Sequence, residues 1–182
     1  MPMKKPSISF LVHDIACPVL GPVTVLARIL EPHFSVQIVG ADFGYGVCFM
    51  YRDDFPYTVV STPRIYRLPD FLLERNKLAA AVTGDIIIPV KTYANTLPVA
   101  LREKKRRGAK VVAYLDEWDG ALLHRMSMLE KLRYIACNAH HPLADLYYPW
   151  VERMIHRPLC ARMCSGWRER LSPEHAQAGG RD

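Results

Sequence analysis

The sequence predicts an α/β domain built on an open, doubly wound parallel sheet. Three observations carry that expectation. Short β-rich runs alternate with amphipathic ones, two of the β runs are apolar throughout instead of alternating, and the segments between them place apolar residues at helical spacing. With 182 residues, half of them hydrophobic, the chain is long enough for one ordinary domain and too short for two full ones.

The predicted strands are Ser7 to His13, Phe34 to Val39, Tyr57 to Ser61, Asp85 to Val90 and Lys110 to Leu115. Ile86-Ile87-Ile88 and Val111-Val112-Ala113-Tyr114-Leu115 suit central strands covered by helices on both faces. Between the first two strands, Val23, Leu26, Ala27 and Leu30 line up one buried helix face, with Pro22 suited to the first helical position. Before the fourth strand, Leu68, Phe71, Leu72, Ala79 and Val82 form a second stripe, which Gly84 can end without a Cβ penalty. Leu97, Ala100 and Leu101 form a third, with Asn95 as N-cap, Pro98 in the first turn and Gly108 as the stop.

After the fifth strand the pattern turns helical. Leu122, Met126 and Leu129 share one stripe, and Leu143, Leu146, Tyr147, Trp150 and Met154 share another, giving a helical C-terminal extension. The periodicity stops near Arg157, so residues 1–156 are expected to form the domain and 157–182 a poorly packed tail. In that tail Leu159, Met163, Trp167 and Leu171 leave a terminal helix as the alternative.

The net charge of +6 suggests anionic contacts without choosing among phosphate, membrane surface and nucleic acid. Five cysteines, an odd number with no CxxC pair, fit reduced thiols and a cytoplasmic setting. The apolar run after Lys4 and Lys5 ends at His13 and Asp14, too soon for a signal core or a membrane span. Arg102, Lys104, Lys105, Arg106 and Arg107 crowd the end of the third helix, where they suit the helix dipole, a solvated surface or anionic lipid headgroups at the inner membrane face. Nucleic acid is not expected, because no aromatic platform interleaves with the charge. Cys137, His140, His141, His156, Cys160 and Cys164 include zinc's preferred ligand types, but their spacings match no familiar finger, so no metal is expected. GxSxG, P-loop and HExxH signatures are absent.

Ligands of open parallel sheets sit beyond the carboxyl ends of the strands. Three places there carry chemistry. The loop from His13-Asp14 to Gly21-Pro22 is either a turn or a phosphate contact at a helix N-terminus. The stretch Lys91-Thr92-Tyr93-Ala94-Asn95 sets a cation, a hydroxyl and an amide where strand four ends, as a site or as a solvated turn. Asp116, Glu117 and Asp119 follow strand five directly, fit to hold a hydroxylated substrate, a cation or a proton in transfer, though N-capping accounts for at least one.

At these places the sequence resembles a known family. A strand, a Gly-Pro loop and a LARIL helix, followed by TGDIIIPVKTYANTLPVALREKKRRGAKVVAYLDEWDGAL, look like the N-terminal domain of glycosyltransferase family four, with D-I-I-x-x-x-K and D-x-W-D matching one branch. The resemblance covers roughly Ser7 to His156. It implies the Rossmann-like, acceptor-side half of a GT-B fold and transfer of a sugar from a nucleotide-sugar donor to an acceptor, with no dinucleotide cofactor. Gly21 would then face the donor's phosphates, while Lys91, Thr92, Asn95, Asp116, Glu117 and Asp119 would line the acceptor side. Some relatives carry a histidine near the end of strand four, where this chain reads Pro89-Val90. The family's second domain holds the nucleotide sugar with two glutamates at a fixed spacing, and no two glutamates here have it. The expectation is therefore a chain without the C-terminal donor domain, whose tail reflects a truncated, frame-shifted or split gene. The rival is a non-catalytic α/β module that binds a nucleotide or a protein partner.

Overall fold

The computed structural model describes residues 5–62, 70–93 and 95–115, together with Ser127 and Leu129. The predicted helical extension apart from Ser127 and the exposed Leu129, the 157–182 tail and all six candidate zinc ligands lie outside the described residues, as do Leu68, Asp116, Glu117 and Asp119.

Along the chain run β1 (Ser7–Val12), α1 (Leu20–Leu30), β2 (Ser35–Asp42), β3 (Tyr57–Ser61), α2 (Asp70–Ala81), β4 (Ile86–Pro89), α3 (Leu97–Arg107) and β5 (Lys110–Val111). All pairings are parallel, and the sheet order is β3-β2-β1-β4-β5. Strand periodicity divides the core into two layers. Ile8, Phe10 and Val12 of β1 join Ile38 and Val90 against Leu20, Val23 and Ala27 of α1. Leu11 of the same strand joins Val39, Ala41 and Ile87 against Leu78 and Ala79 of α2 and Val99 and Ala100 of α3. Helices thus cover both faces, as the apolar runs require.

Several expectations are corrected. The run at Val111 does not form a central strand: β5 pairs only through Lys110 and Val111, is outermost among the described residues, and leaves Val112 exposed. An isolated bridge between Val90 and Tyr114 continues its pairing. β2 is longer than expected, because Gly40, Ala41 and Asp42 still pair with β3. Between β2 and β3 there is no helix. The loop from Phe43 to Pro56 makes the crossover instead, seated by buried Phe43, Cys48 and Phe55 and by the Cys48 N–H donating to the Ile15 carbonyl at 2.9 Å. Its first turn winds around Asp42, whose Oδ1 accepts from the N–H groups of Gly44, Tyr45 and Gly46 at 2.8, 3.0 and 2.9 Å. That is the turn chemistry expected of aspartate.

Gly84 is present for space, not as a helix stop. α2 ends earlier, and a Cβ on Gly84 would lie 2.5 Å from the Ser9 backbone nitrogen and 2.8 Å from the Ile8 carbonyl carbon. Gly108 ends α3 as expected, with φ of 74° and its N–H donating to Lys104. The N-cap of α3 is Thr96 instead of Asn95, without a side-chain cap, since its hydroxyl turns back to the Lys91 and Tyr93 carbonyls at 2.9 and 3.1 Å.

Part of the basic end of α3 is engaged by the protein itself. Glu103, buried, accepts from Arg106 at 2.6 Å and from Arg107 at 3.0 Å, and these hydrogen bonds hold its carboxyl below the usual carboxylate range against the cost of burial. Arg107 also donates to the Gly84 carbonyl at 2.6 Å and reaches those of Val82 and Thr83, tying the α2–β4 link to α3. Arg102 bonds to Asn76 of α2. Arg102, Lys104, Lys105 and Arg106 are exposed, and Arg107 is half-buried. Among the described residues no helix is long and apolar enough to cross a membrane.

Candidate functional site

The sheet reverses direction of winding between β1 and β4. From β1 the chain moves by α1 to β2 on one side, and from β4 by α3 to β5 on the other. At such a switch point the two outgoing loops separate and leave a crevice at the carboxyl ends of the strands. His13 and Asp14 follow β1 there, and Lys91 to Asn95 follow β4.

The two loops are bound together by one side-chain pair. Asn95 Nδ2 donates to the main-chain carbonyl of His13 at 3.0 Å, and Asn95 Oδ1 meets His13 Nδ1 in a short contact. Both residues are buried, and the Tyr93 ring tilts against the imidazole with centroids 4.3 Å apart. Desolvation, the largest influence, lowers the His13 pKa from 6.5 to about 4; the Asn95 bond opposes this and the charge of Lys91 adds to it. His13 is therefore neutral throughout the ordinary pH range.

Lys91 is the one non-glycine residue among the described residues with a positive φ, at 60°. That backbone costs of order 1 kcal/mol and persists where the surroundings over-determine it. Both its peptide groups are pinned: the N–H donates to Tyr114 at 2.8 Å, and the carbonyl accepts from Thr96 Oγ1 at 2.9 Å. Next to it Thr92 is 2% exposed, and its hydroxyl has no hydrogen-bond partner among the described residues. A buried hydroxyl left so carries a desolvation cost of about 1–3 kcal/mol, which a ligand's polar group would offset.

Of the residues expected at the site, then, Lys91, Thr92 and Asn95 share one loop at the switch point, and Asn95 joins it to β1. Gly21 lies in the first turn of α1, where its N–H donates to the Pro18 carbonyl at 3.0 Å and the Tyr51 ring covers it so closely that a Cβ would meet Cζ at 2.6 Å. Leu20 likewise donates to Cys17. These two N–H groups are thus engaged by the protein's own carbonyls. Asp85, the first residue of the D-I-I-x-x-x-K pattern, works at the opposite, amino ends of the strands, where Oδ2 accepts from the Ser7 hydroxyl at 2.7 Å and clasps β1 to β4. Asp14 Oδ1 closes a turn on the Ala16 N–H at 2.9 Å.

Sequence reasoning placed His13 in a candidate loop but gave its side chain no role. Its signal was position: it is the first residue beyond a central strand, but a histidine next to an aspartate in a loop is unremarkable until the sheet order is known. Among the described residues no three His, Cys, Asp or Glu side chains gather as a metal site. Comparison with protein-family models, with curated proteins and with solved structures finds no match to this chain.

Proposed function

We propose that this domain is the acceptor-side half of a sugar-transferring enzyme, acting with a donor-binding domain to move a sugar from a nucleotide-sugar to a hydroxylated acceptor seated in the β1/β4 crevice. One observation carries the reading. Lys91, Thr92 and Asn95, the loop residues that resemble the family's acceptor side, stand together at the switch point of a parallel sheet, with a buried hydroxyl left without a partner among the described residues. The acceptor would meet Lys91 and Thr92, while Asn95 holds the two loops in register. Gly21, Asp116, Glu117 and Asp119 complete the proposed site on the pattern of the resemblance, and the cations Arg102, Lys104, Lys105, Arg106 and Arg107 at the end of α3 would meet an anionic lipid surface.

Backbone amide NMR tests the reading directly. Titration with monosaccharides, sugar phosphates and nucleotide sugars is expected to give saturable shifts at Lys91, Thr92 and Asn95. Shifts centred elsewhere, or binding of nucleotide without any sugar preference, would favour a non-catalytic binding module. Catalysis needs donor and acceptor held together. No two glutamates here have the donor-binding spacing, so this chain by itself is expected to transfer no sugar, and turnover of a nucleotide sugar would overturn that division of labour.

A further inference from the structure

We propose that β3 is the edge through which this chain pairs with a second copy of itself: the two β3 strands run antiparallel about a two-fold axis at Val59 and join the two five-stranded sheets into one.

The open groups follow from register. β3 is outermost in the sheet, and the Thr62 N–H just beyond its end donates to the Asp42 carbonyl of β2 at 2.8 Å. Successive residues of a strand turn their N–H and C=O groups to opposite sides, so Thr58 and Val60, in step with Thr62, direct theirs at β2. Tyr57, Val59 and Ser61 turn theirs away from the sheet, and among the described residues nothing bonds to those main-chain groups. Natural sheets guard such an edge with charge, an internal proline or a bulge. The strand Tyr57-Thr58-Val59-Val60-Ser61 has no charged residue and no proline, pairs with β2 in unbroken register, and consists mostly of strong β formers. Val59, at its centre, is 43% exposed.

A copy of the same strand is the partner this edge fits. The outward groups are spaced symmetrically about Val59, so antiparallel pairing sets Val59 against Val59 and Tyr57 against Ser61, and closes about six main-chain hydrogen bonds. The two valines meet as an apolar cross-strand pair. Charge decides the orientation. Asp53 and Asp54, both exposed, precede the strand, and Arg64 follows it in sequence. Parallel pairing would set the acidic ends of the two copies together, whereas antiparallel pairing keeps them apart. A two-fold contact is closed, so association stops at the dimer. The carboxyl ends of the two halves, with their crevices, then point in opposite directions.

Sedimentation velocity of the full chain across concentration, combined with amide exchange by NMR, tests the pairing. A strand pair buries less than the roughly 800 Å² per partner of a standard interface, so the dimer is expected to be reversible, with a dissociation constant of about 10–100 μM. As concentration rises, exchange should slow at Tyr57, Val59 and Ser61 and stay unchanged at Thr58 and Val60, whose N–H groups β2 already holds. Val59→Pro removes an N–H that bonds nothing within the chain, and Val59→Lys sets two like charges across the axis. Each is expected to weaken association by about tenfold or more, with the circular dichroism spectrum of the wild type retained. A chain that is monomeric up to about 1 mM, or a dimer in which those three amides exchange as fast as in the monomer, overturns the proposal. So does a Val59→Lys chain that folds and dimerises like the wild type. The wild-type exchange pattern decides the matter even if neither variant folds.

Discussion

Substitution of Gly84 by alanine measures how closely β4 and its lead-in approach β1. The added methyl would sit 2.5 Å from the Ser9 nitrogen, 2.7 Å from Ser9 Oγ and 2.8 Å from the Ile8 carbonyl carbon, each well inside van der Waals contact. Two of these atoms are backbone of a central strand and cannot swing aside. The Gly84 N–H also donates to Ser9 Oγ at 2.8 Å, and Ser9 passes the chain of bonds to Gln37 at 2.8 Å, so relief of the clash breaks a buried hydrogen bond. Overpacking costs about 1–3 kcal/mol and the lost bond about 1 more, so the expected destabilisation is about 3 kcal/mol. For a chain of this size that is a fall in melting midpoint of roughly 6–12 °C, read by circular dichroism. Two controls isolate the mechanism. Ser9→Gly in the same chain removes Oγ but not the backbone contacts, and should rescue little. Gly108→Ala, at φ of 74° with nothing within 4 Å of a Cβ, should cost only the left-handed penalty of about 1–2 kcal/mol. A Gly84→Ala midpoint within 2 °C of wild type would refute the argument that strand approach, and not helix termination, requires glycine there.

Because the folded pKa of His13 lies below its unfolded value, the unfolded chain binds more protons between the two; stability should fall as pH drops from 6.5 toward about 4, by about 3 kcal/mol, and His13→Asn should abolish that component in urea titrations at each pH. Glu103→Ala removes the buried anion that Arg106 and Arg107 share, and should cost about 2–3 kcal/mol, with faster amide exchange at 82–84, where Arg107 grips the carbonyls; unchanged exchange there would show the clamp to be idle. Since the carboxyl of Glu103 is held low in the fold, its contribution is present at neutral pH and is lost in acid. Gly21→Ala meets only the far end of the Tyr51 ring, so about 1 kcal/mol is expected, relieved when Tyr51→Ala is added; an equal cost in both backgrounds would point to the backbone instead.

The sheet was legible where the cause is local. Ile86-Ile87-Ile88 and the β1 run are apolar because both sheet faces are covered, and Gly108 announced the end of α3 because a left-handed cap is a single-residue requirement. Features with distant causes were hidden. Asn95 reads as an N-cap by residue type, yet its partner is 82 positions away, and no local pattern encodes that pairing. Glu103 reads as surface among lysines and arginines; its burial depends on Arg106 and Arg107 at helical spacing supplying the countercharge, so the spacing was visible and the burial was not. The β2–β3 crossover was unassigned because its order comes from Asp42 gathering three N–H groups, which shows in sequence only as Asp, Phe and two glycines close together.

The union of His13 with Asn95 also bears on how this protein assembles and how its ligands can be found. Neither loop has its bound conformation until β1 and β4, separated along the chain by α1, β2, β3 and α2, have docked side by side. The crevice is thus formed in the same cooperative step as the centre of the sheet, and the unfolded chain holds no part of it. A small molecule that enters it binds the native state alone, and mass action then raises the stability of the whole domain, by about 2.7 kcal/mol at a concentration one hundred times its dissociation constant. Melting temperature is for that reason a faithful detector for this crevice, and libraries can be screened on it before any activity has been measured.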